Sequence, residues 1–124
     1  MLEPRLSRPI RALARSDSVA LVVTPGELLL IDARTGRALP GLPAANVHAL
    51  SEITAAAIDD RSIWVTGTGG LLVVTRATGV SRFLASRGDI PSDALDVALD
   101  RDYGWLATAG GLMRLRRLTD GSIP

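Results

Sequence analysis

Three segments of the chain repeat one pattern, and this repeat limits the possible folds more than any other feature. They are ALVVTPGELLLIDARTG at 20–36, IWVTGTGGLLVVTRATG at 63–79 and GWLATAGGLMRLRRLTDG at 104–121. Alignment on Leu28, Leu71 and Leu112 gives spacings of 43 and 41 residues. Because 124 residues hold about three such units and little else, the chain is predicted to repeat one supersecondary unit.

Each unit is predicted to form short β-strands joined by turns. Runs such as LLVVT at 71–75 are rich in β-branched and large apolar residues, which strands favour. The turn before such a run carries adjacent glycines, which adopt positive φ without a steric penalty. The turn glycines of the second and third units are Gly69, Gly70, Gly110 and Gly111. The strand before this turn carries Trp64 or Trp105, and both indoles are expected to pack between neighbouring units.

Two further strands are predicted in the units. One precedes the tryptophan position, at 10–14, 53–58 and 94–99, and an outer strand follows at 37–42 and 80–85. A spacing of about 40–45 residues with four short strands is typical of a β-propeller blade. The sequence thus predicts an all-β fold of three four-stranded blades. Blade one covers about residues 9–42, blade two about 43–87 and blade three about 88–121.

The stretch IPSDALDVALDRDYGWLATAGGLMRL at 90–115 resembles the propeller repeats of bacterial two-component regulators. The matching columns are Ile90-Pro91-Ser92-Asp93, Asp100, Trp105, Thr108 and Gly110-Gly111-Leu112. Blade two matches at Leu42-Pro43, Asp59, Trp64 and Gly69-Gly70-Leu71, whereas blade one keeps Thr24, Gly26 and Leu28 and has Leu21 in place of tryptophan. The resemblance implies propeller architecture. It also implies that the chain forms part of a sensor domain of such a regulator. Some of these sensor domains recognise carbohydrate-type ligands.

Blade three is expected to lack an outer strand of its own, because only five residues follow Thr119 in the repeat. The segment LEPRLS at 2–7 is the length of a strand and is expected to supply it. Three blades do not close a ring, since propellers contain about 4–8. We expect two copies to form a six-bladed ring in which residues 2–7 of one finish blade three of the other. Two alternatives are a different protein partner and an origin as a piece of a longer chain.

The composition excludes several classes of function. The chain has no cysteine and a single histidine, His48, so it offers neither a thiol nucleophile nor a recognisable metal site. A net charge of +1 disfavours a strongly basic nucleic-acid binder. No apolar run is long enough to span a membrane as a helix, and the N-terminus lacks a secretory signal. We therefore expect no cofactor, no catalytic residues and a cytoplasmic location.

Two groups of charged residues stand out. The aspartates Asp59, Asp60, Asp100 and Asp102 recur in equivalent turns, where an Asp side chain bonds its own backbone, so they are expected to shape turns. The basic cluster Arg114, Arg116 and Arg117 lies on the third predicted strand of blade three and is a possible interaction surface for an acidic partner. By strand alternation, Arg114 and Arg116 share one face and Arg117 takes the other.

The sequence favours a non-catalytic protein-interaction or scaffold module built of propeller blades. The first alternative is a ligand- or glycan-sensing propeller fragment of a bacterial regulator. The second is a lyase- or hydrolase-type propeller enzyme, which the single histidine and only three glutamates (Glu3, Glu27, Glu52) disfavour.

Overall fold

The computed structural model describes residues 9–40 and 47–124, and within these ranges it contains ten β-strands and one short 3-10 helix, Val47–Ala49. The strands are β1 (Ala12–Ser16), β2 (Val19–Thr24), β3 (Glu27–Asp32), β4 (Glu52–Ile58), β5 (Ser62–Thr68), β6 (Gly70–Thr75), β7 (Ser81–Ala85), β8 (Ala94–Leu99), β9 (Tyr103–Thr108) and β10 (Gly111–Arg116).

The strands form three antiparallel sheets, one for each sequence repeat. Blade one has the order β1-β2-β3, blade two β4-β5-β6-β7 and blade three β8-β9-β10. Within each sheet, every strand pairs with its neighbour in sequence, as in a meander of hairpins. The all-β fold of three blade-like sheets is therefore confirmed. Four regular strands are present in blade two, and three in each of blades one and three, among the described residues.

The outer strand expected at 37–42 in blade one is only partly formed. Ala38 makes an isolated bridge to Ile31, and the Leu39 amide donates to the Leu30 carbonyl at 2.8 Å. Pro40 then follows, which has no N–H with which to extend the ladder. Residues 41 and 42 lie outside the described part of the chain, as does the segment 2–7 that was expected to complete blade three.

Blades two and three share the register that the repeat predicts. Trp64 pairs with Val73 in the same way that Trp105 pairs with Arg114, and Leu21 with Leu30 in blade one. The first strand also shifts register at the same place, between Ile53 and Ala55 and between Ala94 and Asp96. The sequence alignment therefore identifies spatially equivalent positions, and it can be used to compare one blade with the next.

The hairpin turn of blade two depends on its two glycines. Gly69 and Gly70 have φ of 109° and 148°, and a Cβ on Gly70 would lie 1.9 Å from the Leu84 carbonyl oxygen. In blade three, Gly111 also has positive φ, whereas Gly110 does not and has room for a side chain. The expectation that paired glycines supply positive φ thus fits blade two and only one residue of blade three.

Two apolar clusters join the sheets, because blade two is buried on both faces. Successive residues of a strand point to opposite faces, so β5 sends Ile63 and Val65 towards blade one and Trp64 towards blade three. The first cluster includes Leu21, Val23, Leu28, Ile63, Val65 and Leu72. The second includes Trp64, Leu71, Leu84, Ile90 and Leu106. The three blades therefore pack face to face in chain order.

Candidate interaction surface

The Asp turns of blades two and three are built alike. Asp59 Oδ1 accepts the amides of Arg61 and Ser62 at 2.9 and 3.0 Å. Asp100 Oδ1 accepts the amides of Asp102 and Tyr103 at 2.9 and 2.8 Å. Asp60, which lies in the first turn, bonds neither of these amides through its side chain. The first carboxylate of each turn thus fixes the entry into the second strand of its blade.

Arg117 connects the two Asp turns. Its guanidinium lies 2.7 Å from Asp59 Oδ2 and donates to Ser62 Oγ at 2.8 Å and to the Asp100 carbonyl at 2.5 Å. Only 5% of Arg117 is exposed. Arg117 is therefore not part of an exposed basic surface, contrary to the sequence expectation, because the face to which it points is covered by blade two.

The electrostatics of the first turn reflect this contact. Partial burial alone would raise the pKa of Asp59, but hydrogen bonds from Arg117 and from the amides of Arg61 and Ser62 outweigh it and lower the pKa. In the second turn, the Trp105 indole and the Tyr103 amide donate to Asp100 and lower its pKa. Both carboxylates are thus engaged as ionised acceptors within the fold.

Trp64 packs blade two against blade three. Its side chain is fully buried, and its indole N–H donates to Ser62 Oγ at 3.1 Å. The ring lies over Gly104 of blade three, where an added Cβ would come within 2.3 Å of two ring carbons. Glycine at 104 therefore leaves the space that the tryptophan of the preceding blade fills.

Trp105 occupies the equivalent position in blade three, on the face that points away from blade two. Its strand neighbours Gly104 and Leu106 face the second apolar cluster, so the indole projects from the opposite side of the sheet. Trp105 is half-buried, and its indole N–H donates to Asp100 Oδ2 at 2.7 Å. We call this side of blade three the open face.

Aromatic, basic and apolar side chains share the open face. The Trp105 and Tyr103 ring centroids are 6.0 Å apart, and the Arg114 guanidinium lies 4.4 Å from the centroid of Tyr103 and 5.9 Å from that of Trp105. Such stacking of a guanidinium on aromatic rings is common where proteins bind one another. Arg116 is exposed on the same side, and Leu112 is 73% exposed. The surface thus combines the residue types that dominate binding energy at protein interfaces.

Sequence reasoning placed Arg114 and Arg116 on one face but did not bring Trp105 to them, and it did not place Tyr103 or Leu112 on a surface. The register supplies the missing signal, because Tyr103 pairs with Arg116 and Trp105 with Arg114. Residues directly opposite each other in an antiparallel pair share a face. Counting alternate residues along both strands would therefore have found this surface.

Two further candidates are His48 and a cleft beside the Asp turns. His48 lies in the 3-10 helix Val47–Ala49, and its side chain is outside the described part of the structure. In the described ranges, no group of three or more His, Asp or Glu side chains could hold a metal ion. A cleft of about 650 Å³ lies beside the Asp turns, where arginines alternate with aspartates. It is lined by Arg61, Arg101 and Arg116 with Asp60 and Asp102.

No helix in residues 9–40 and 47–124 is long and apolar enough to cross a membrane. No model of a known protein family matches the chain, and no curated protein is similar to it in sequence. Solved structures do match.

Three of these structures illustrate the likeness. The computationally designed protein Ika8 matches 92% of this chain with 35% of its own, at 22% identity and a TM-score of 0.63. BamB from Moraxella catarrhalis matches 94% with 36% of its own, at 24% identity and a TM-score of 0.67. The extracellular domain of the hybrid two-component system BT4673 from B. thetaiotaomicron matches 98% with 17% of its own, at 16% identity and a TM-score of 0.64.

At these identities the likeness shows the fold alone. BamB and the BT4673 domain are β-propeller proteins, and this chain spans between about a sixth and a third of the length of the three structures. The three antiparallel sheets of this chain thus match the blades of a β-propeller.

Proposed function

We propose that this chain is a non-catalytic protein-interaction module, and that its open face binds another blade-like protein surface. One observation carries the proposal: equivalent tryptophans have different environments. Trp64 is fully buried by blade three, whereas Trp105 is half-buried on a face that no further blade covers within the described ranges. A surface equivalent to a buried junction is suited to form the same kind of junction again.

The energetics favour such a contact. Burial of an aromatic side chain at an interface removes a large apolar area from water, and completing the burial of Trp105 would contribute about 2 kcal/mol. Leu112 would add to this, because it is largely exposed on the same face. Blade three also ends at β10 among the described residues, so the binding protein could pair with that edge as well.

A non-catalytic role is supported by what the best acid–base candidates do. The Asp59 carboxylate accepts hydrogen bonds from two turn amides and forms an ion pair with the Arg117 guanidinium. The Asp100 carboxylate accepts hydrogen bonds from two turn amides and from the Trp105 indole. Hydrogen bonds to a carboxylate keep it ionised and occupied. Their recurrence in two blades fits a structural function in the turns.

Site-specific photo-crosslinking in cells that produce the protein tests the proposal. A photoreactive amino acid at Leu112, in the open face, should give a covalent adduct of defined mass, and Trp105→Ser in the same chain should abolish it. The matched control is the same amino acid at Val80, which is 65% exposed on blade two. Equal adducts at both positions, or none at Leu112, would contradict the proposal.

A further inference from the structure

We infer that the surface bound by the open face is blade one of a second copy of this chain, with the Trp105 ring seated over Ala20 of that copy. The inference rests on the proposed function, and it names the binding partner and the contact. Three observations support it: the matching of side-chain sizes at the existing junctions, the side of blade one that faces away from blade two, and the charges near the first strands of blades one and three.

The matching of side-chain sizes is seen at the two junctions inside the chain. Between blades one and two, Leu21 occupies the tryptophan position and Ile63 of the next blade belongs to the same cluster. Between blades two and three, Trp64 occupies that position and the residue equivalent to Ile63 is Gly104. A larger side chain on one blade is thus matched by a smaller residue on the next, as close packing requires.

Blade one offers the small residue that Trp105 needs. In the repeat register, the position of Ile63 and Gly104 is taken in blade one by Ala20. Ala20 is half-buried and lies on the side of blade one opposite the first cluster, because its neighbour Leu21 faces that cluster. The same side carries Leu13, which is 68% exposed. The side of blade one opposite the first cluster thus offers a small residue, Ala20, next to the exposed Leu13, at the position that Trp105 would need.

The first strands of blades one and three, β1 and β8, carry or adjoin complementary charges. At both internal junctions the first strands of the blades pack on each other, β1 on β4 and β4 on β8. On the open face, Ala98 pairs with Trp105, and Asp96 and Asp100 lie two residues before and two residues after Ala98. On the outer side of blade one, Arg15 pairs with Ala20. Seating Trp105 on Ala20 therefore places Arg15 opposite two carboxylates, and such complementarity fixes the register of an interface.

Two copies would use both uncovered faces. Each chain contributes the open face of blade three to one junction and blade one to the other, so a two-fold arrangement closes with no face left over. The ring would contain six blades, which is within the range of known propellers. A further copy could not add to it, and the assembly would stop at the dimer.

Paired substitutions test the contact. Trp105→Leu leaves a cavity over Ala20, and Ala20→Ile obstructs the indole, so each variant should raise the dimer dissociation constant at least about tenfold. The double variant recreates the Leu21 and Ile63 combination of the first junction and should recover association. Mass is measured by light scattering across a dilution series, with the wild type expected near twice 13.0 kDa. Folding is checked by Trp64 emission in the variants that carry Trp105→Leu, and by far-UV circular dichroism in Ala20→Ile, which retains both tryptophans.

A mixture of the two single variants gives the decisive result. In the mixed dimer, one junction brings the two substituted side chains together, and the other keeps the native Trp105 and Ala20, so mixing should restore the dimer. Failure of the mixture to dimerise, or single variants that dimerise normally, would overturn the inference. A wild type that stays monomeric would also overturn it. The proposed function would survive that result if the Leu112 crosslink joined a different protein, and both would fail if no adduct formed.

Discussion

The Arg117 guanidinium lies 2.7 Å from the Asp59 carboxylate of blade two and 2.5 Å from the Asp100 carbonyl of its own blade, so one side chain connects two successive Asp turns. Arg76, its equivalent in blade two, makes the intra-blade half of this arrangement by donating to the Asp59 carbonyl at 2.8 Å. Blade one has Ala33 at the same position. The ion pair between blades therefore requires an aspartate from the preceding blade and an arginine from the next.

Arg117→Met should destabilise the fold by about 2–4 kcal/mol. The change removes a buried cation and leaves the Asp59 carboxylate, Ser62 hydroxyl and Asp100 carbonyl without this partner. Urea unfolding monitored by tryptophan fluorescence measures the loss. The matched control is Arg116→Met, which alters an exposed neighbour and should change stability by less than about 0.5 kcal/mol. Equal effects of both substitutions would show that the ion pair contributes nothing specific.

Gly104→Ala should destabilise the junction between blades two and three by about 1–3 kcal/mol. Its Cβ would meet the buried Trp64 ring, which has no free space into which to move. Gly110→Ala is the control, because the nearest atom to a Cβ there is 3.5 Å away and Gly110 does not have a positive φ. Trp64→Leu added to Gly104→Ala should recover part of the loss. Without that recovery, steric conflict with the ring would not be the cause.

The repeat predicted the sheets, but it could not predict which faces are covered. Period and turn chemistry locate the strands, since the strand of Trp64 and the turn of Gly69 and Gly70 depend on local sequence alone. The burial of Arg117 depends on blade two lying against one side of blade three. Strand alternation put Arg117 on the opposite side from Arg114 and Arg116, yet nothing local identifies that side as the interior.

The weakest repeat was also the least predictable part of the fold. In blade one the outer strand is reduced to a bridge at Ala38, because Pro40 stops the ladder that the repeat implied. The open face was missed for a different reason. Tyr103, Trp105 and Arg114 come from two strands, and their contact is visible only when the hairpin register is applied to both.

Acid should weaken the fold through Asp59. Its folded-state pKa is lowered from the ordinary 3.8, so the ionised carboxylate stabilises the fold above the unfolded value and this contribution is lost as pH falls through the folded pKa. The difference in unfolding free energy between wild type and Asp59→Asn should be constant from pH 7 to about pH 5 and should shrink below pH 3.8. Urea titrations at stepped pH measure it. A pH-independent difference would mean that the carboxylate charge is unimportant at this turn.

Ala33→Arg should strengthen the proposed dimer. The closing junction places Ala33 of blade one where Arg117 stands in blade three, so Asp100, the equivalent of Asp59, has no partner that corresponds to Arg117. Supplying a guanidinium there should lower the dimer dissociation constant at least about tenfold, because a hydrogen bond to a charged group contributes about 1.5–3 kcal/mol and the dimer contains two such junctions. Light scattering across a dilution series reports the change, and the gain should disappear when Asp100→Asn is added.

The control for this gain is Ala77→Arg, which adds the same charge at an exposed position of blade two and should leave the dissociation constant unchanged. If both arginines tightened the dimer equally, the effect would be one of net charge. If Ala33→Arg alone weakened it, blade one would not face Asp100 in the assembly. Tightening that is specific to position 33 and dependent on Asp100 would mean that the closing junction follows the geometry of the junction between blades two and three.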